Sequence, residues 1–161
     1  MTELVFIICV CVIGIFYIYR VGRNMAFLWD MEPDGYLGLE VKMLRIDALA
    51  KIIAIGCVTL SFWIVLTLGL LIDMDYMINP FRNIHHNLTD KFLFILIGIG
   101  AICLYGYEYG QKEFDKLPRK ATAIIPEDQY KNIIWFHWIY NIGFIGFGID
   151  VSVHFLFGAF L

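Results

Sequence analysis

The chain contains few charged residues, and they are absent from most of its length. Only 17% of its residues are Asp, Glu, Lys or Arg, whereas 60% are hydrophobic, against about 45–50% in ordinary soluble domains. No basic patch lies within a nucleic-acid-binding motif, which argues against a DNA- or RNA-binding module. No H-E-x-x-H, Walker loop, G-x-S-x-G or comparable catalytic signature is present, so we expect a protein that is not an enzyme.

Cysteine pairs with redox or metal-binding spacing are absent as well. The four cysteines lie inside apolar runs and no C-x-x-C occurs, so we interpret them as small apolar core residues. The N-terminus has no positively charged segment and no small-residue cleavage site after its apolar run. We therefore expect a retained first span rather than a signal peptide.

Four long apolar runs remain, and they determine the class of the protein. They cover residues 4–19, 52–72, 92–107 and 133–161. About 20 apolar residues match the roughly 30 Å hydrocarbon core of a bilayer, and lipid offers backbone groups no hydrogen-bond partner, so such runs are helical. The sequence predicts an all-α integral membrane protein, a four-transmembrane-helix bundle. Residues 1–161 form one membrane domain without a soluble domain, and the spans are expected at about 4–20, 51–72, 92–110 and 132–157.

The positive charges are distributed unevenly between the connecting segments. Ten of the twelve Lys and Arg residues lie in the first and third segments, two lie in the second, and the tails contain none. The positive-inside rule then places the first and third segments in the cytoplasm and both termini outside. We expect a bacterial inner (plasma) membrane, with the mitochondrial inner membrane as the alternative.

The first connecting segment has a helical pattern of its own. Apolar residues form one stripe between residues 37 and 51, and Asp47 and Lys51 are an i,i+4 pair on another. The sequence predicts an amphipathic interfacial helix between spans 1 and 2. Residues 21–50 and 111–131 are also the segments expected to meet a cytosolic or membrane protein partner.

Small and polar residues on spans 3 and 4 predict close helix packing. Helices in lipid associate where small residues let their backbones approach. On span 4 such residues occur on two nearly opposite sides, which predicts contacts on both sides and a homo-oligomer. The expected packing and oligomer residues are Gly98, Gly106, Gly110, Gly143, Gly146, Gly148, Asn141 and Ser152.

Ionisable groups at membrane depth are candidate functional residues because they are costly there. The candidates are Glu108 on span 3 and the i,i+4 pair Asp150 and His154 on span 4, near its outer end. His85 and His86 in the second connecting segment could join that pair at a metal site, but adjacent loop histidines are usually solvated. A structural Asp–His pair is the preferred interpretation, and neither a metal nor haem nor any other cofactor is expected.

These features favour a non-enzymatic membrane subunit over other classes. It would self-associate and present cytoplasmic segments to a partner, in a setting such as phage-defence sensing or toxin immunity, which rests on architectural analogy alone. A small oligomeric ion or proton channel or transporter is the first alternative. A membrane anchor or accessory subunit of a respiratory complex that binds metal or haem is the second.

Overall fold

The described part of the chain consists of four long helices. The computed structural model describes residues 2–72 and 90–160, with the side chains of residues 5–68 and 95–156. The helices are α1 (Thr2–Trp29), α2 (Gly35–Ile72), α3 (Asp90–Phe114) and α4 (Glu127–Phe160). No strand occurs within these residues, so the predicted all-α class is confirmed.

Three of the helices are long and apolar enough to cross a membrane. They are the segments Val5–Trp29, Gly35–Leu68 and Glu127–Leu156, which supports a multi-pass membrane protein. The helix α3 is not among them on its described residues, so the fourth predicted span has no equivalent support.

The predicted interfacial helix is not a separate element in the described residues. Residues 37–51 are helical as expected, but they are the first part of α2, which continues for 38 residues without a break. No proline occurs within α2, and α2 packs against α4 at positions on both sides of residue 51, so nothing bends or ends the helix there. The connection between α1 and α2 is only residues 30–34.

The helices pack in the order α1, α2, α4, α3, with α2 and α4 in the middle. The two central helices are parallel, and their contacts keep a nearly constant register. Met43 faces His137 and Asp47 faces Asn141, each pair 94 residues apart. Farther along, the rings of Phe62 and Phe155 stack with centroids 4.0 Å apart. This register fixes which residues of α2 and α4 share a depth.

Buried apolar side chains form two clusters, one toward each end of the helices. One joins α1, α2 and α4 and includes Ile7, Phe62 and Phe155. The other joins α2, α4 and the residues that follow α3, and it includes Leu39, Leu117 and Ile133. The second cluster lies at the end that carries the α1–α2 and α3–α4 connections, which we call the basic end because ten Lys and Arg residues lie in or beside those connections.

Two side-chain features hold the connections together at the basic end. The guanidinium of Arg45 donates hydrogen bonds to the carbonyls of Leu28 (2.7 and 2.9 Å) and Trp29 (3.2 Å), and also to that of Met31. A cation thus satisfies the free carbonyls at the end of α1. Gly35 begins α2 with a φ of +61°, and a side chain there would lie about 3 Å from the carbonyl oxygens of Ala121 and Ala123, so only glycine fits.

The apolar stretches of α2 and α4 start at different heights. The last charged residue before each stretch is Lys51 on α2 and Lys131 on α4. With a register of 94 residues, Lys131 lies level with residue 37 of α2 (131 − 94 = 37), which is 14 residues before Lys51 (51 − 37 = 14). At 1.5 Å per residue the two starts are staggered by about 21 Å.

Candidate functional site

A polar cluster joins α2 and α4 near the basic end. The Oδ1 atom of Asp47 lies 3.0 Å from Nε2 of His137 and accepts a hydrogen bond of 2.9 Å from Nδ2 of Asn141. The side chains of Asp47 and His137 are 26% and 13% exposed, and Asn141 is buried. A carboxylate, an imidazole and an amide are therefore held together within an apolar helix pair.

The hydrogen bonds of the cluster assign the imidazole tautomer. Nε2 of His137 also lies 3.0 Å from the carbonyl oxygen of Met43. Both neighbours of Nε2 are acceptors, so this nitrogen carries the proton and Nδ1 is the one that can take up another. Asn141 donates from Nδ2 to the carbonyl of His137 as well, at 2.9 Å, which fixes the orientation of its amide. Nδ1 is the ring nitrogen of His137 that these contacts leave available as an acceptor.

Regular spacing on both helices brings the cluster together. Met43 and Asp47 are four residues apart on α2, and His137 and Asn141 are four apart on α4. Residues at this spacing lie on one face of a helix. Because α2 and α4 are parallel, Met43 lies beside His137, and one turn farther along both helices Asp47 lies beside Asn141.

A cavity of about 200 Å³ borders the cluster between α2, α3 and α4. Asp47 and His137 line it together with aromatic and polar side chains. The rings of Tyr107 and Tyr140 have centroids 6.1 Å apart there. Gln111 and Phe114 of α3 also line the cavity. No Lys or Arg side chain lines the cavity, so Asp47 is the charged group that faces it.

Asp47 was not singled out as a functional residue by the sequence. Its i,i+4 relation to Lys51 favoured a solvated charge pair, but the described residues show no ion pair between them within 4 Å. His137 and Asn141 lie four residues apart, so their shared face on α4 follows from the sequence. The missing information was the register of α2 against α4, which periodicity within a single helix does not contain.

The second intramembrane pair lies deeper than the sequence suggested. Nδ1 of His154 is 3.4 Å from Oδ1 of Asp150 and 3.0 Å from its backbone carbonyl oxygen. Asp150 is 10% exposed, and its Oδ2 atom is buried without a hydrogen-bond partner. By the register of the central helices, Asp150 lies level with residue 56 of α2 (150 − 94 = 56), inside the apolar stretch 52–72 and 16 residues before α2 ends (72 − 56 = 16).

Glu108 is an exposed residue rather than a buried one. Its carboxylate pairs with the ammonium of Lys112 at 2.7 Å, one turn farther along α3, and the two side chains are 63% and 59% exposed. Such i,i+4 pairs on a helix surface stabilise the helix slightly. Glu108 does not line the cavity.

Three of the predicted packing glycines lie at two contacts between helices. Gly106 and Gly143 lie where α3 meets α4, and a Cβ on Gly106 would be 2.5 Å from the backbone nitrogen of Tyr140. Gly148 lies where α4 meets α2, and a Cβ there would be 2.7 Å from Cα of Ala54. Both sides of α4 are thus occupied by helices of the same chain.

The remaining predicted packing residues have looser surroundings. A Cβ on Gly110 would be 3.3 Å from Cβ of Phe136 on α4, and one on Gly146 would be 3.8 Å from the side chain of Ile99 on α3. The hydroxyl of Ser152 donates a hydrogen bond of 2.6 Å to the carbonyl of Gly148. Gly98 has no described atom within 4 Å of a Cβ built on it. The predicted homo-oligomer is therefore not required by the glycines of α4, and it stays a prediction.

Only two of the four candidate metal ligands, Asp150 and His154, belong to the described residues. His85 and His86 lie outside the described residues. Among the residues that are described, no group of three or more His, Cys, Asp and Glu side chains could hold a metal ion.

No family model, curated protein or solved structure matches this chain.

Proposed function

We propose that this chain is a non-enzymatic multi-pass membrane protein that conducts a proton or a small cation through the Asp47–His137–Asn141 cluster. This cluster is the observation that carries the proposal. Ionisable groups in membrane helices are costly, and in most cases they face a partner or a path. The open nitrogen of His137 and the cavity-facing carboxylate of Asp47 give a proton or cation a place to bind.

A second ionisable pair on the same helix supports this proposal. His137 and Asp150 are 13 residues apart on α4 (150 − 137 = 13), about 20 Å along the helix axis. Asp150 has a buried oxygen without a partner, which is an expensive arrangement to keep in an apolar surrounding. Both groups are ionisable at membrane depth, and at 100° per residue they lie about 140° apart around α4.

The orientation in the membrane is part of the proposal. We propose α3 as the fourth span and the basic end as the cytoplasmic side of a bacterial inner membrane, with both termini outside. The distribution of Lys and Arg supports this orientation. The cavity then opens on the cytoplasmic half of the protein.

Proton flux into liposomes tests the function directly. The purified chain is reconstituted with a pH-sensitive dye inside, and a potassium gradient with valinomycin provides the driving force. We expect faster flux than in empty liposomes, and loss of this flux in Asp47→Asn and His137→Gln. Glu108→Gln, which also removes one carboxylate but away from the cavity, should keep it. Equal flux in Asp47→Asn and the unaltered protein, or no flux above empty liposomes, contradicts the proposal.

A docking subunit is the second candidate, and one observation favours it. The two connections at the basic end enclose an open groove lined by residues including Leu37 and Tyr130, and the side chain of Ile124 beside them is 93% exposed. An exposed apolar side chain in a groove suits a protein partner. Proteins that co-purify with the unaltered chain but not with Ile124→Glu in mild detergent would support it, and identical sets would not. The setting in defence or toxin immunity stays a prediction.

A further inference from the structure

We propose that the cavity beside Asp47 binds an ammonium group, supplied by a free amine or by the headgroup of a lipid. This inference rests on the proposed function, because it names the class of cation that the same site takes. It starts from the charge of the cluster. Oδ1 of Asp47 accepts both hydrogen bonds of the cluster, and no described side chain bonds Oδ2. Asp47 therefore presents a carboxylate to a cavity that no Lys or Arg side chain lines.

The size and walls of the cavity select the class of cation. A volume of about 200 Å³ has room for roughly six water molecules at about 30 Å³ each. A bare Ca²⁺ or Mg²⁺ ion needs about six oxygen ligands at short distances, and this cavity offers one carboxylate. An ammonium group needs less: one carboxylate and aromatic faces satisfy it.

Two tyrosine side chains line the cavity together with Asp47. Tyr107 and Tyr140 pair across the cavity, and the rings of Tyr140 and His137 have centroids 6.3 Å apart. Gln111 also lines the cavity, and its amide nitrogen donates a hydrogen bond of 3.0 Å to Oδ1 of Asp115. Lys51, one turn from Asp47 on α2, is exposed and does not line the cavity.

Two glycines of α3 allow this helix to lie close to α4 beside the cavity. Gly106 and Gly110 both line the cavity, one turn apart on the helix. A Cβ on Gly106 would clash with the backbone of α4, and one on Gly110 would be 3.3 Å from Cβ of Phe136. Because α3 lies this close to α4, Tyr107 and Gln111 reach the same cavity as Asp47.

Equilibrium binding of two probes tests the site. Ethylammonium chloride and tetramethylammonium chloride are titrated by calorimetry into the purified chain in maltoside, a detergent without an ammonium group. We expect saturable binding, at least tenfold weaker in Asp47→Asn, where Oδ1 keeps its hydrogen bonds and an amide NH₂ replaces Oδ2. Tyr107→Leu should weaken binding about two- to thirtyfold through loss of a cation–π contact. Glu108→Gln, the matched control, should bind like the unaltered chain.

Lipid nanodiscs then identify the source of the ammonium group. If the headgroup of phosphatidylethanolamine occupies the site, nanodiscs that contain it should lower the affinity for the free probes at least threefold relative to phosphatidylglycerol alone. Equal affinity in both identifies a free amine. Binding of neither probe in maltoside or in phosphatidylglycerol nanodiscs, or equal binding to Asp47→Asn of normal thermal stability, overturns the inference. Proton flux is measured without amines, so absence of amine binding leaves the proposed proton conduction intact. Amine binding without proton flux would instead contradict the proposed function and leave the ammonium site intact.

Discussion

At the scale of single residues, Arg45 performs a task that composition does not reveal. Its guanidinium lies on α2 but satisfies three carbonyls at and after the end of α1, and it also lies over the ring of Trp29, 5.5 Å from the centroid. Charge-assisted hydrogen bonds of this kind are stronger than neutral ones. The short connection between the two helices therefore depends on a side chain from within α2.

We expect Arg45→Met to lower the free energy of unfolding by about 1.5–3 kcal/mol, since it leaves carbonyls of a partly buried helix end without a donor. Thermal unfolding in mild detergent measures this change. Lys120→Met is the control, because it removes a positive charge from the basic end where the side chain is exposed. Similar losses of stability in both variants would show that total charge, and not the cap, is responsible.

Asp47 shows why part of the site could not be predicted from sequence. Its carboxylate and the partners on α4 are 94 residues apart, and no local rule connects them. Asp150 and His154 are one turn apart on a single helix, so their pairing was predictable. Their depth was not, because it follows from how α4 is placed against α2.

At the scale of helices, the contact between α3 and α4 depends on glycine at one position and not at another. A side chain on Gly106 would clash with backbone atoms of Tyr140, whereas one on Gly98 meets no described atom. Both glycines belong to the same helix and were predicted as packing residues for the same reason.

We expect Gly106→Leu to destabilise the protein by about 1–3 kcal/mol, because backbone atoms cannot move aside as a flexible side chain can. Gly98→Leu should be neutral or slightly stabilising, since leucine favours a helix more than glycine does. Thermal unfolding of both variants compares them directly. A larger loss for Gly98→Leu than for Gly106→Leu would contradict this packing.

The predicted homo-oligomer can be examined with the same pair of variants. A second copy that packed on the open side of α3 would require the small residue Gly98. Native mass measurement in mild detergent should then show a smaller assembly for Gly98→Leu than for the unaltered chain. An unchanged mass would place any self-association elsewhere.

At the scale of the whole molecule, the all-α class and three membrane-length helices of the described residues follow from hydropathy, whereas the arrangement of the helices does not. Apolar runs separated by Pro118 and Pro126 predicted where α3 ends and α4 begins. The sequence predicts that residues 37–51 lie at the membrane interface and run into span 2, because Glu40, Lys42, Arg45, Asp47 and Lys51 resemble the polar face of an interfacial helix. Contacts with α1 and α4 instead provide partners for several of these charges.

The orientation of the molecule can be measured by cysteine labelling. With the four native cysteines replaced by alanine, Thr122→Cys at the basic end should resist a membrane-impermeant maleimide in intact cells, whereas Asn83→Cys should react. Permeabilised cells, in which both positions should react, are the control. The opposite pattern in intact cells would place the basic end, and with it the cavity, on the outer side.

The stagger between the apolar stretches of α2 and α4 has a consequence for the surrounding lipid. A bilayer adjusts its thickness to the hydrophobic length of the protein beside it, at a cost for each ångström of mismatch. Here the apolar stretches of α2 and α4 begin at heights about 21 Å apart on the basic side, so the headgroups beside these two helices lie at different heights. The protein is thus expected to tilt, to thin the leaflet along one edge, and to favour curved or thin regions of membrane. Asp47 lies between the two starting heights, level with acyl chains on one side of the molecule and with headgroups on the other.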